Sequence, residues 1–477
     1  MKESPVNCTT LLASLPPEWP EDLLPVIVRE NSAGSDKVVV LDDDPTGTQT
    51  VRDIPVLTTW SESALRRELQ GEYPGFFILT NSRSLTGDAA AELAREIGCN
   101  LQAAAAAAGV SPVVISRSDS TLRGHFPGEV DALAASLGQE DAPRLLIPFF
   151  LEGGRFTIDN VHYVQDGDHL IPAAQTPFAG DAVFGFHSSE LRQWVEEKTA
   201  GRVRAEEVKV ISLSDLRRGG PKRVAALLGE VPSRAICVVN AASYRDLQVL
   251  VAALLPLEKA GRRFVYRTAA SFVRTRLGQG HHFPLLPPDK LTVGTPNGGL
   301  FIVGSYVAKT GRQLDNLLCL PGIEAIEIGV ENLLADGDRL REIGSAARQL
   351  NGALRQGRDC VLYTSRRLVT GEDAAASLAI GGLVSDSLVA IVRSLTAQPR
   401  YLVAKGGITS SDIATRGLGV LRALVLGQAL PGVPVWQLGP ETRYSGMPYI
   451  VFPGNVGADD ALAELRHMLC RVNQPLS

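Results

Sequence analysis

The chain has 477 residues, 45% of them hydrophobic, which is enough to bury a large core, and roughly 150 residues per domain gives two or three domains. Its 47 basic and 52 acidic residues are intermixed and leave a net charge of −5, so nothing suggests a nucleic-acid or membrane surface and small molecules are the expected ligands. The six cysteines are scattered without a Cys-x-x-Cys pair, no run approaches a membrane span and the N-terminus lacks an apolar signal core; a reducing, cytoplasmic setting is expected, with no thiolate metal site.

Residues 1–36 contain Pro5, Pro16, Pro17, Pro20 and Pro25, show no clear period and read as an N-terminal extension. Residues 38–41 then form an apolar run that reads as a short buried strand. Three consecutive acids, Asp42, Asp43 and Asp44, followed by Pro45, Thr46 and Gly47, break it abruptly. Ligands of open α/β sheets collect at the carboxyl ends of strands, so carboxylates there are placed to hold a metal or to take a proton from a hydroxyl. A solvated turn is the plainer alternative, since all these residue types form turns.

A second strand over 76–79 ends in Thr80, Asn81, Ser82, Arg83 and Ser84, and an Ala-rich helix follows over 88–108, stopped by Gly109. A third apolar run, 113–115, delivers the polar stretch Ser116 to His125. A helix over 126–137 and a strand over 145–147 continue the alternation, which implies a parallel sheet with helices on its faces. Residues 149–190 break the rhythm with Gly, Pro, His and aromatic residues, and read as a long irregular insertion whose aromatics favour a lid. Strands return at 208–211, 235–239 and 264–266. The Gly- and Pro-rich stretch 276–299, with His281-His282 read as solvated, marks a domain boundary.

Beyond it a second series begins with a strand at 300–303 ending in Gly304-Ser305, a helix over 309–318, a strand at 360–363 and a long helix over 373–394. A strand at 401–404 leads into Lys405-Gly406-Gly407-Ile408-Thr409, and one at 449–452 leads into Pro453-Gly454-Asn455-Val456-Gly457. Paired glycines and hydroxyls at a helix start let backbone amides approach a phosphate, the alternative being a helix cap at Thr409 or Ser411. Neither a P-loop nor a complete dinucleotide fingerprint is present, and no His-Glu-x-x-His or Gly-x-Ser-x-Gly occurs.

Together these motifs resemble the four-carbon acid sugar kinase family. The resemblance rests on Asp43-Asp44-Pro45-Thr46-Gly47, Asn81-Ser82-Arg83-Ser84, the run from Arg117 to Gly124, Gly153-Gly154-Arg155, Gly304-Ser305, Gly406-Gly407-Ile408-Thr409 and Gly454-Asn455-Val456-Gly457. It implies an ATP- and Mg²⁺-dependent kinase of an erythronate, threonate or oxo-tetronate. The expected fold class is α/β in two domains, each a mainly parallel sheet flanked by helices: an extension over 1–36, a sugar-acid domain over 37–275, a linker over 276–299 and a nucleotide-binding domain over 300–477. Asp43 and Asp44 are the catalytic and metal-holding acids, with their roles unassigned. Arg83, Arg117, Ser118, Asp119, Ser120 and Arg155 would bind the sugar acid, the arginines as carboxylate forks. Ser305, Gly406, Gly407, Thr409, Gly454, Asn455, Val456 and Gly457 would surround the nucleotide.

The sequence departs from the family pattern at Pro45, where Phe is common, and at Phe452-Pro453, where the family carries Lys-Ser before the glycine; Lys405 is a substitute phosphate contact or a partly solvated strand-end lysine. No nucleic-acid or membrane partner is expected, and a homodimer stays open. A non-catalytic nucleotide or sugar-acid sensor and a kinase of a branched or longer sugar acid are the alternatives, ahead of a dehydrogenase or aldolase, for which the fingerprint and a Schiff-base lysine are missing.

Overall fold

The computed structural model describes residues 4–34, 36–280, 283–305, 307–366, 369 and 374–470. His281 and His282 lie outside the described residues. Contacts divide the chain into two units, residues 1–50 with 59–282, and 51–58 with 283–477.

Strands are numbered along the chain. In the first unit β2 (Val38–Asp42), β4 (Gly75–Leu79), β5 (Val113–Arg117), β6 (Arg144–Ile147), β10 (Lys209–Ile211), β11 (Ile236–Val239) and β12 (Val265–Thr268) form a parallel sheet in the order β10-β11-β6-β12-β5-β2-β4. Every residue of β2, β4, β5, β11 and β12 is buried, which explains why these strands read as unbroken apolar runs and not as alternations. The helix Gly87–Ala108 covers one face with the small side chains Ala90, Ala94, Ala104 and Ala105 together with Ile97 and Leu101. Thr86 caps its start by accepting from the Ala89 amide.

β1 (Val6–Asn7), the helix Cys8–Ser14 and the helix Leu24–Ala33, within the stretch read as an N-terminal extension, fall in the first unit, and Ile27 of the last is fully buried. One expectation needs correction here. The insertion 149–190 is built, not irregular. Its strands β7 (Arg155–Ile158), β8 (Val161–Asp166) and β9 (His169–Pro172) form an antiparallel sheet that β1 completes at the edge. Phe156, Ile158, Leu170 and Phe186 are buried, so the aromatic content reflects a small core.

The second unit has a mixed sheet. Parallel pairs join β19 (Pro448–Phe452), β16 (Leu402–Lys405), β13 (Leu300–Val303), β15 (Asp359–Thr364) and β14 (Ile323–Ile328), in that order. Antiparallel pairs join β19 to β18 (Val433–Leu438), β18 to β17 (Arg422–Leu430), and β17 to β3 (Ile54–Leu57). The chain therefore leaves the first unit after Thr50 and supplies β3 to the sheet of the second before returning at Thr59. Phe301, Val303, Tyr401, Val403, Ile450 and Phe452 form the core with Leu314, Leu317, Leu462 and Leu465 from helices Ala308–Leu318 and Ala461–Cys470.

Candidate functional site

In the first unit, β4 lies on one side of β2 and β5 on the other, so strand order reverses at β2, and Asp42 stands in register with Leu79 and Arg117. Such a reversal opens a crevice at the strand ends, and the acid turn sits there. Asp43 is buried and both its oxygens are engaged: Arg83 donates Nη2 to Oδ1 at 2.5 Å and Nε to Oδ2 at 3.2 Å, and Ser118 Oγ donates to Oδ2 at 2.6 Å. Burial alone would raise its pKa, yet Arg83 and Arg117 hold this carboxyl below the usual range.

Asp44 is the more open acid. Its Oδ1 accepts from the Thr46 amide at 2.8 Å and the Thr46 hydroxyl at 2.6 Å, while Oδ2 has, among the described residues, a single hydrogen bond, from Arg83 Nη1 at 3.3 Å. Asp42 lies beneath, fully buried, with Oδ1 accepting from Arg117 Nη1 at 3.0 Å and Oδ2 without a partner among the described residues. Burial pushes Asp42 up to about 7 against the pull of Arg117. Gly47 packs on this carboxylate so closely that a Cβ there would overlap it.

The arginines expected as forks for a substrate carboxylate are thus occupied by the protein's own acids. Arg83 spans Asp43 and Asp44, and Arg117 is buried with Asp42. Ser118 is likewise committed to Asp43. Asp119 is held well below the usual carboxylate range, against its burial, by Arg83 and Arg123, with Arg123 Nε donating to it at 2.7 Å. Arg155 differs: its guanidinium lies 5.7 Å from the Phe178 ring centroid and, among the described residues, has no hydrogen-bond or ion-pair partner.

In the second unit the three predicted turns follow β13, β16 and β19, which are adjacent and parallel. Thr310 Oγ1 reaches both Ser305 Oγ and the Gly454 carbonyl at 3.3 Å, and the Gly406 amide donates to the Phe452 carbonyl at 2.9 Å. Ser305, Gly406, Gly407 and Gly454 therefore converge at one end of this sheet. Gly406 has φ +113°, open to glycine and strained for other residues. Lys405 is neither solvated nor free for a phosphate: it is fully buried, and its Nζ donates to the carbonyls of Pro453 at 2.6 Å and Gly454 at 3.3 Å. Burial, with Lys309 nearby, pushes it down to about 7.

Residues 38–276 match the family described as the sugar-binding N-terminal domain, and residues 300–462 match the nucleotide-binding C-terminal domain. The chain belongs to the four-carbon acid sugar kinase family. Relatives of this sugar kinase family member include the D-threonate kinase of Salmonella typhimurium, 27% identical over 382 residues, covering 76% of this chain and 82% of the relative. The D-threonate kinase of Cupriavidus necator is 26% identical, over 77% of this chain and 82% of its own. Two solved structures share the fold at 16% identity. Haemophilus influenzae protein HI1011 has a TM-score of 0.61, covering 91% of this chain and all of its own, and a protein titled putative tRNA synthase from Salmonella typhimurium has a TM-score of 0.64, covering 92% and 99%.

Three residues of this family member escape a motif reading because they sit inside regular elements. Glu129, in helix Gly128–Ser136, is buried and accepts from Ser82 Oγ at 2.7 Å; burial and nearby Asp43 push it up to about 7. Arg267 on β12 is buried beside β5 and donates to the Arg123 carbonyl at 2.9 Å. His162 on β8, fully buried, lies 2.7 Å through Nε2 from the Ser120 carbonyl, so Nε2 carries the proton, and burial pushes its pKa down to about 4. No helix among the described residues is long and apolar enough to cross a membrane.

Proposed function

We propose that the protein is an ATP-dependent kinase that phosphorylates a hydroxyl of a small sugar acid of the threonate, erythronate or oxo-tetronate class. The first unit holds the acid and the turns of Ser305, Gly406, Gly407, Thr409 and 454–457 hold the nucleotide. What carries the reading is the acid turn at the end of β2. Asp43 is locked as an anion by Arg83 and Ser118, while its neighbour Asp44 is partly exposed and, among the described residues, engages Oδ2 in one long hydrogen bond. Family membership and relatives named D-threonate kinases support the reaction class.

Phosphoryl transfer asks mostly for positioning and charge stabilisation. The acceptor hydroxyl donates to Asp44 Oδ2. As its oxygen bonds to the γ-phosphorus and the bond to ADP breaks, its proton passes to Asp44 and then to solvent. Arg155, the uncommitted guanidinium, takes the substrate carboxylate. Among the described residues no three acid, histidine or cysteine side chains form a metal cage, but Mg²⁺ that comes with ATP keeps several waters and needs few protein ligands. Both oxygens of Asp43 and Oδ1 of Asp44 are already hydrogen-bonded and Asp44 Oδ2 takes the acceptor hydroxyl, so Asp43 and Asp44 would reach the ion through its waters. When bound, the ion neutralises charge on the phosphates.

Incubation with ATP, Mg²⁺ and a panel of tetronates should release ADP only when an acceptor is present. Nucleotide and acid binding without turnover would establish the sensor reading in its place.

A further inference from the structure

The first unit contains a buried cation that, among the described residues, makes no direct ion pair. Arg267 is 4% exposed and stands on β12 in register with Ser116, next to the strand that ends in Arg117. Arg83, Arg117 and Arg123 each form an ion pair with an aspartate. Among the described residues Arg267 forms none. Its recorded hydrogen bond is to a neutral acceptor, the carbonyl of Arg123, at 2.9 Å. Asp43, Glu129 and Asp119 act on it through space, but each is bonded elsewhere: Asp43 to Arg83, Glu129 to Ser82 and Asp119 to Arg123. A buried guanidinium without a counter-ion is costly and persists where something compensates it.

Arg155, half-buried, is a second guanidinium without a direct partner among the described residues, and the two share neighbours. Both feel the charge of Asp119, and Arg123, whose carbonyl holds Arg267, has its guanidinium 5.0 Å from the centroid of Phe178, the ring that also carries Arg155. Around the loop from Arg117 to Gly124, then, two guanidiniums remain unpaired after the internal pairs are made.

We propose that Arg267 is a further substrate-binding residue, which together with Arg155 forms the end of the acceptor site that takes the carboxylate of the sugar acid. The proposal rests on the kinase reading for the identity of the acid, and adds that this carboxylate supplies the direct ion pair that Arg155 and Arg267 lack. Arg83 and Arg117 then hold the acid turn in shape. Four-carbon polyols without the carboxylate leave Arg155 and Arg267 uncompensated and are excluded.

The test uses the full chain and three substitutions, Arg267→Met, Arg267→Lys and Arg155→Met, with D-threonate, erythronate and the neutral tetritols threitol and erythritol as probes. Thermal unfolding and calorimetric titration read binding without requiring turnover. Wild-type protein should gain thermal stability from an acid but not from a tetritol. Arg267→Met should lose that gain, weaken the acid at least tenfold and leave ATP affinity unchanged, with Arg267→Lys intermediate and Arg155→Met similarly impaired. The Lys variant keeps the charge, so it reports on binding even if the Met variant fails to fold. Acid binding unchanged in both Arg267 variants overturns the proposal, as does a wild-type protein that binds none of the acids or binds tetritols equally well. Acid binding that depends on Arg267 without phosphorylation would overturn the kinase reading and leave this one standing.

Discussion

Arg83 grips Asp43 with two nitrogens, at 2.5 and 3.2 Å, and spends its third on Asp44 at 3.3 Å. One side chain from the end of β4 thereby sets the shape of the acid turn at the end of β2. Removing it would leave Asp43 buried and poorly paired, which costs about 3 kcal/mol. Arg83→Met should show such a loss in urea unfolding, and Arg83→Lys, which keeps the charge but not the fork, about half of it. Equal stability in all three proteins would mean the pair is structurally idle.

The two acids should separate by assay. Asp44→Asn is expected to lower turnover about 100-fold or more, the scale of a lost proton acceptor, with little change in stability or in the KM for ATP. Asp43→Asn should lower turnover and stability together, because Arg83 and Ser118 lose their charged partner. Normal turnover in both variants would remove the acid turn from the chemistry.

Glu129 gives a pH-dependent prediction. Its pKa is raised in the fold from 4.5 to about 7, so between these values the unfolded chain releases the proton while the folded one keeps it. Stability is lost there as pH rises. Glu129→Gln keeps an acceptor for Ser82 and removes the titration, so it should gain on the wild type from about pH 4.5 to about 7, by at most on the order of 3 kcal/mol. His162 acts in the opposite sense. With its folded pKa near 4 against 6.5, it removes stability as pH falls through that interval. A pH-independent difference between Glu129→Gln and wild type would refute the assignment.

Gly47 is expected to tolerate no side chain. Gly47→Ala would drive a methyl group into the Asp42 carboxylate, costing about 1–3 kcal/mol. Adding Asp42→Ala should recover part of that loss in chemical denaturation. Strict additivity of the two substitutions would place the strain elsewhere.

In the second unit Lys405→Met should weaken nucleotide binding while leaving sugar-acid binding intact, because its Nζ ties the end of β16 to the carbonyls of Pro453 and Gly454. Titration with ATP and with the acid separately would check this. A loss of acid binding alone would contradict it.

The parallel strands were legible because burial on both faces makes them apolar throughout, and a sharp polar turn follows each. Asp43, Arg83, Arg117 and Ser118 could be picked out for that reason, and they do meet. Their pairing was not legible, since a strand-end arginine looks the same whether it faces a substrate or a neighbouring aspartate. Arg267 and Glu129 were hidden inside a strand and a helix, where pattern speaks of packing. Ile54–Leu57 went unseen because its partner, Arg422–Leu430, is distant in the chain, whereas Arg422–Leu430 and Val433–Leu438 form a hairpin whose Pro431-Gly432 turn signal was passed over. The insertion was misread as irregular, as its strands are short and interrupted by Gly and Asp.

The central claim is transfer of a phosphoryl group to a sugar acid, and ³¹P NMR of the full chain with ATP, Mg²⁺ and D-threonate, erythronate or an oxo-tetronate tests it most directly. The expected result is a new phosphate-ester resonance growing in step with ADP for at least one acid, and absent with Asp44→Asn. Saturating occupancy by both ATP and acid with no ester formed from any of them would contradict it.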